Sequence, residues 1–155
     1  TNEEYNYADN QVTRSWGTAT PKLLEDRDEV WSQEQIDNGN APDGTSAGDP
    51  HLDSDGNQIV TKGLKSQKKQ IIKNQASGLL APTDWYVVKA TEVTDYSVPA
   101  NITTFRSNVR AKSNEMETQI DACTTVDELK ALYEYTRQED GTITRPLAEF
   151  PVLES

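Results

Sequence analysis

Apolar residues are sparse along the first third of this chain and recur with helical spacing along its second half. Residues 1–19 show no sustained period and read as extended chain, anchored only by Tyr5, Tyr7, Val12 and Trp16. Thr20-Pro21 then has the form of a helix start, with Thr20 as N-cap and Pro21 at the first helical position. Leu23, Val30 and Trp31 share one face and Asn38-Gly39 supplies a stop, so a helix is expected over about 21–37. Residues 38–57 are rich in Gly, Pro, Asp, Asn and Ser, a long loop for a compact domain and the mark of a linker or of a segment lying on something else. Within it, Asp55-Gly56 is placed to turn a short hairpin between Leu52 and Ile59-Val60.

From about residue 65 to Leu80, Leu64, Ile71, Ile72, Gln75 and Leu79 mark one helical face, and Lys65, Lys68, Lys69 and Lys73 the other. Pro82 should stop this helix, because the residue before a proline is pushed out of the helical region. Trp85 to Val93 is a β-favouring run and is expected to be extended. Pro99 opens the most regular helix. Its inward positions Ile102, Phe105, Val109, Met116, Ile120 and Cys123 follow a near-heptad seam, interrupted around Lys112-Ser113. Thr125 with Glu128 forms a capping box that starts a short helix with Val126, Leu129, Leu132 and Tyr133 inward. After a turn at Asp140-Gly141, Pro146 and Pro151 forbid a regular helix. The tail carrying Leu147, Phe150, Val152 and Leu153 must then dock as an extended arm in a groove, the chain's own or a neighbour's.

These elements predict a mainly α fold: a small helical body of two long helices plus a short third, with long extended N- and C-terminal arms. The divisions fall at 1–63, an acidic and largely extended partner-binding arm; 64–135, the helical body; and 136–155, the C-terminal arm. The expected core is Leu79, Trp85, Ile102, Phe105, Val109, Met116, Ile120, Leu129 and Leu132, with Trp85 between the two long helices; the alternative for Trp85 with Tyr86, and for Phe105 with Arg106 and Arg110, is a partner-facing patch.

Composition sharpens this picture. Only 34% of the 155 residues are apolar, with a mean hydropathy of -0.80, so the core must be small or completed by a partner. The net charge of -11 is uneven: residues 1–63 hold 13 acids against 4 bases and residues 64–155 hold 13 against 11. An acidic arm on a nearly neutral body argues against nucleic acid and against anionic membrane surfaces, both of which need a basic face. A positively charged partner groove would suit the arm, and so would simple solvation. No apolar run approaches a membrane-spanning length and no secretory leader is visible, so a soluble protein made in a reducing cytoplasm is expected.

The residues offer little chemistry. Cys123 is the only cysteine and His51 the only histidine, so neither an internal disulfide nor a His-based zinc cluster can be assembled. A Cys–His nucleophilic pair has no supporting motif. An EF-hand starting at Asp53 fails: Gly56 comes two positions early and the twelfth position is Leu64. A looser cation site at Asp53, Asp55 and Asn57 stays open against a plain turn. No phosphate loop, nucleophile elbow or metalloprotease helix is present, and the thin core leaves no room for a two-carboxylate cleft. The expectation is a non-enzyme without cofactor or metal. The candidate working surfaces are Tyr5, Tyr7, Trp16 and Trp31 on the N-terminal arm, Arg106 and Arg110 on the long helix, and Leu147, Phe150, Val152 and Leu153 on the tail. Arg106 has the alternative of pairing with Asp84 or Asp95.

One stretch also carries a resemblance. Leu79-Leu80, then Thr83-Asp84-Trp85, then a helix with Phe105-Arg106 and Val109-Arg110 resembles the tail-assembly-chaperone-like and tail-fibre-associated proteins of tailed bacteriophages. Members of that family often show a Leu-Leu, Thr-Asp-Trp element followed by a Tyr-Arg, Leu-Arg helix. The resemblance covers about residues 64–133; Phe105 stands where Tyr is more usual, and no second tryptophan precedes it on its helix. It implies a protein bound to tail, baseplate or tail-fibre subunits, in multiple copies within a larger assembly, in the virion tail after assembly in the host cytoplasm. The alternatives are a transient assembly chaperone that leaves before the virion is complete, and an acidic protein-binding inhibitor module.

Overall fold

The computed structural model describes residues 22–153 in full, and the backbone alone of residues 3–8 and 11–16. Those last two segments are strands β1 (Glu3–Ala8) and β2 (Gln11–Trp16), paired antiparallel from Glu3 opposite Trp16 to Ala8 opposite Gln11. The extended reading of this region therefore holds for its described backbone. The side chains of Tyr5, Tyr7 and Trp16, and the Thr20-Pro21 helix start, lie outside the described residues.

Residues 22–63 depart from expectation. In place of a helix over 21–37 there is a two-residue strand β3 (Arg27–Asp28) and a single-turn helix α1 (Gln33–Asp37). The local cause is Ser32, whose Oγ accepts from the Gln35 amide at 3.2 Å while Gln35 Oε1 accepts from the Ser32 amide at 2.9 Å. This reciprocal box starts the helix twelve positions after Thr20. The stop at Asn38-Gly39 is where the sequence placed it, with Gly39 at φ +70°. Strand β3 pairs antiparallel with β4 (Val60–Thr61), and the Leu52–Gln58 bridge closes the expected hairpin around Asp53–Asn57, with Gly56 at φ +82°. The Gln58 amide donates to the carbonyls of Glu29 (2.6 Å) and Ile59 (2.9 Å), fastening the layers together.

The helical body follows its pattern closely. Helices α2 (Leu64–Leu80) and α4 (Ala100–Ala122) pack antiparallel, and α5 (Val126–Ala131) covers their far end. The fold is mainly α, as expected. Ile102, Phe105, Val109, Met116 and Ile120 of α4 are all buried, and the gap in the seam is filled by buried Ser113, whose hydroxyl donates to Glu117 at 3.3 Å. From α2 come Ile72 and Ala76, with Leu79 partly buried. Ile71 and Gln75, expected inward, face out, and Lys65, expected outward, is buried. Lys65 Nζ bonds the Asp121 carbonyl at the end of α4 (3.1 Å) and the Glu25 carboxylate (2.5 Å). A cation there satisfies orphan carbonyls and opposes the negative end of the helix.

Helix α5 starts as predicted, Thr125 Oγ1 accepting from the Glu128 amide, while the Glu128 carboxylate reaches the Thr124 amide at 2.6 Å. Leu129 is buried and Leu132 partly so. The chain then forms the hairpin β5 (Thr136–Arg137) and β6 (Ile143–Thr144), turning through Asp140-Gly141. Of the two grooves open to the tail, it takes the chain's own. Leu147 is 2% exposed in a cluster with Ile72, Met116, Ile120, Cys123 and Leu129. Gln119 clamps this stretch with both amide atoms, donating to the Pro146 carbonyl and accepting from the Ala148 amide. Phe150 packs against both halves of the core. Leu147 and Phe150 are therefore internal contacts in the free chain, whereas Val152 is 85% exposed and Leu153 is also exposed.

Candidate docking surface

The Thr83-Asp84-Trp85 element departs most from expectation, and its geometry explains why. Helix α2 ends at Leu80 and a 3-10 turn, Ala81–Thr83, carries the chain directly into a further helix, α3 (Asp84–Glu92). The expected extended run from Trp85 to Val93 is thus helical. Pro82 sits in the first positions of the 3-10 turn, where its missing N–H removes nothing the helix needs. The Thr83 hydroxyl donates to the Leu80 carbonyl at 2.7 Å, satisfying one of the acceptors left at the end of α2. Asp84 places a negative charge in the first turn of α3. With these local devices in place, the modest strand preference of Val87 and Val88 is overridden.

Arg106 locks the arrangement. Its Nη1 donates to the Leu80 carbonyl at 3.1 Å, the Thr83 hydroxyl at 2.5 Å and the Asp84 carboxylate at 2.7 Å, and its side chain is only 12% exposed. Arg106 is therefore a tie between α4 and the α2–α3 junction, in line with its alternative of pairing with Asp84. Arg110, one turn on, is exposed and donates to the Arg106 carbonyl at 3.3 Å.

The consequence for Trp85 is a reversal. It does not enter the core: it stands 51% exposed on α3 beside Val88 at 52%, with Val87 and Val93 also exposed. Its ring stacks on Tyr86 with centroids 3.9 Å apart, and Lys89 lies over both Trp85 (5.7 Å) and Tyr96 (4.3 Å). Tyr96 is brought there by a turn at Asp95, the one non-glycine residue at positive φ (72°) among those described. Trp85, Tyr86, Val88 and Lys89 on α3, with Tyr96 from the turn that follows it, make an amphipathic surface of the type that dominates protein interfaces. The core beside this junction is built instead from Phe105, Val109 and Ala76, with Leu79 and Leu80 packed against them.

Trp31, the described aromatic candidate of the N-terminal segment, stacks on His51 at 3.9 Å. His51 is thereby engaged away from Cys123, which is buried in the core with its thiol pushed up by desolvation, the wrong direction for a nucleophile. The Asp53 carboxylate accepts from the amides of Asn57 (2.8 Å) and Asp55 (2.9 Å), and these bonds, that of Asn57 first, hold it below the usual carboxylate range. Among the described residues no group of three His, Cys, Asp or Glu side chains is arranged to hold a metal ion. No described helix is long and apolar enough to cross a membrane. In comparisons with known proteins, no family model, curated protein or solved structure matches this chain.

Proposed function

We propose that the chain is a non-enzymatic, tail-associated structural protein of a bacteriophage, binding tail, baseplate or tail-fibre subunits in the virion through the Trp85 face of α3. The observation that supports this reading is the division of labour within the motif that carries the resemblance. Leu80, Thr83, Asp84 and Arg106 fix the junction, and the same junction holds Trp85 and Val88 out in solvent. Apolar groups displayed by a rigid, hydrogen-bonded support are arranged for a partner rather than for the chain's own core. Mass spectrometry of purified virions should find the chain at fixed stoichiometry, and Trp85→Ala should remove it from particles. Absence from virions, with co-purification on an unassembled tail protein, would overturn this reading in favour of the second.

That second reading is a transient tail or tail-fibre assembly chaperone. It gains from the tail's docking on its own body through Leu147 and Phe150, which takes one long segment out of use as a permanent anchor. The same Trp85 face would then shield a subunit until it assembles.

A further inference from the structure

The loop that follows α1 folds back on Trp31 to leave a surface pocket of about 510 Å³. Trp31, Pro42, Pro50 and Leu52, the last 49% exposed, supply its apolar lining, beside Gly44 and Thr45. Its rim carries Asp43, Asp49 and Asp53, and no basic side chain lines it. The frame is held by two bonds to the Trp31 backbone, from the Trp31 amide to the Asp49 carbonyl (3.0 Å) and from the Gly48 amide to the Trp31 carbonyl (2.9 Å). Two of the rim carboxylates are occupied in building the loop: Asp49 accepts from the Ser46 amide at 2.7 Å, and Asp53 holds its own turn. Asp43 has no hydrogen-bond or ion-pair partner among the described residues.

We infer that this pocket receives a lysine or arginine side chain of a partner protein, its aliphatic stem lying along Trp31, Pro42 and Leu52 and its charge at the Asp43 rim. Carboxylates abound on this surface and alone would select nothing; the aromatic and aliphatic walls distinguish the pocket. A cation over an indole gains from the ring quadrupole, and long basic side chains bury their methylenes while keeping the charge at a wet, acidic edge. The surrounding segment reinforces the choice, since residues 22–63 carry 10 acids against 3 bases. An acidic partner would meet that field as repulsion, and a neutral apolar side chain would leave the free Asp43 charge unanswered. The inference is independent of the tail reading, because the pocket's chemistry is the same in any assembly; Trp85 variants test one and Asp43 variants the other.

The test is an NMR titration of the full chain with N-acetyl-lysine methylamide and N-acetyl-arginine methylamide, following the Trp31 indole N–H. The neutral norleucine analogue is the control. Both basic probes should give a saturable shift at millimolar concentration, with norleucine at least about fivefold weaker, the size expected of an exposed cation–aromatic contact. Asp43→Asn should weaken the basic probes by a similar factor without disturbing other resonances, as should Asp49→Asn, which keeps an oxygen for the Ser46 amide. Salt raised to about 0.5 M should do the same. Equal binding of norleucine, unchanged binding in both Asn variants, or no shift up to about 50 mM probe overturns the assignment.

Discussion

Helix α4 and the segment 22–63 are both ordered, by opposite means. Helix α4 contributes six buried residues to a continuous seam, and at that seam apolar burial outweighs every polar contact. Between residues 22 and 62 no residue is fully buried. That segment is held by hairpin bonds, left-handed glycines at 39, 44, 48 and 56, and carboxylates that bond backbone amides. The difference teaches that low hydropathy in this chain does not mean absence of structure. It means structure of a kind that depends on ionisation and on backbone geometry more than on volume.

Breaking α4 should have the largest effect. Ile120 is fully buried where both long helices, α5 and the tail meet. Ile120→Ala should cost about 2–5 kcal/mol in chemical denaturation, by lost transfer energy and the cavity left behind. The joint between the regions comes next. A Cβ on Gly63 would lie 2.3 Å from the Glu25 carbonyl group, a backbone clash no rotamer relieves. Gly63→Ala should cost about 1–3 kcal/mol, and raised amide exchange around Leu23–Asp26 should locate the damage.

Acid should then separate the two regions. Asp26 is held at about 2 against an ordinary 3.8, by its bond to Lys62 first, then by Ser66 and the Gly63 amide. Glu29, through the Thr61 hydroxyl, and Asp53 are also lowered. A carboxylate depressed in the folded state lends stability above its ordinary range and loses it as pH falls through the folded value. Between about pH 4 and pH 2, the 22–63 segment should therefore lose amide protection before α2 and α4 do. Asp26→Asn should bring that loss to neutral pH. Simultaneous loss in both regions would contradict the contrast. The smallest effect belongs to Trp85→Ala, which should leave the denaturation midpoint within about 0.5 kcal/mol while removing partner binding.

The sequence was most legible where a local pattern decides the structure. The α4 seam, the Thr125 cap, the Asn38-Gly39 stop and the Asp55-Gly56 hairpin all appear where their patterns placed them, because each depends on neighbours within a turn or two. The misreadings had non-local or competing causes. Trp85 is expected between the two long helices. The structure displays it because Arg106, more than twenty residues away, completes a helical junction across Pro82. Thr20-Pro21 favours a helix over 21–37, whereas the Ser32–Gln35 box starts the helix that forms. Ile71 and Lys65 exchanged faces because Lys65 answers a carbonyl at the end of α4, a partner that periodicity on α2 cannot reveal. The Trp31 pocket was foreshadowed only by Trp31 itself, since the residues around it converge through a loop whose course depends on its glycines.

Helix α2 begins at a glycine that has no side chain with which to cap it. Its first donors are answered from 37 to 41 residues upstream: the Gly63 amide by Asp26 Oδ1, the Leu64 amide by the Leu23 carbonyl and the Lys65 amide by the Leu24 carbonyl. Closing that loop carries an entropic cost that no local contact offsets in advance. In refolding, α2 should therefore grow from its interior, with the amides of residues 63–65 the last along it to become protected. The chain would complete its helical body backwards, sealing the first turn of α2 only when the polar segment arrives.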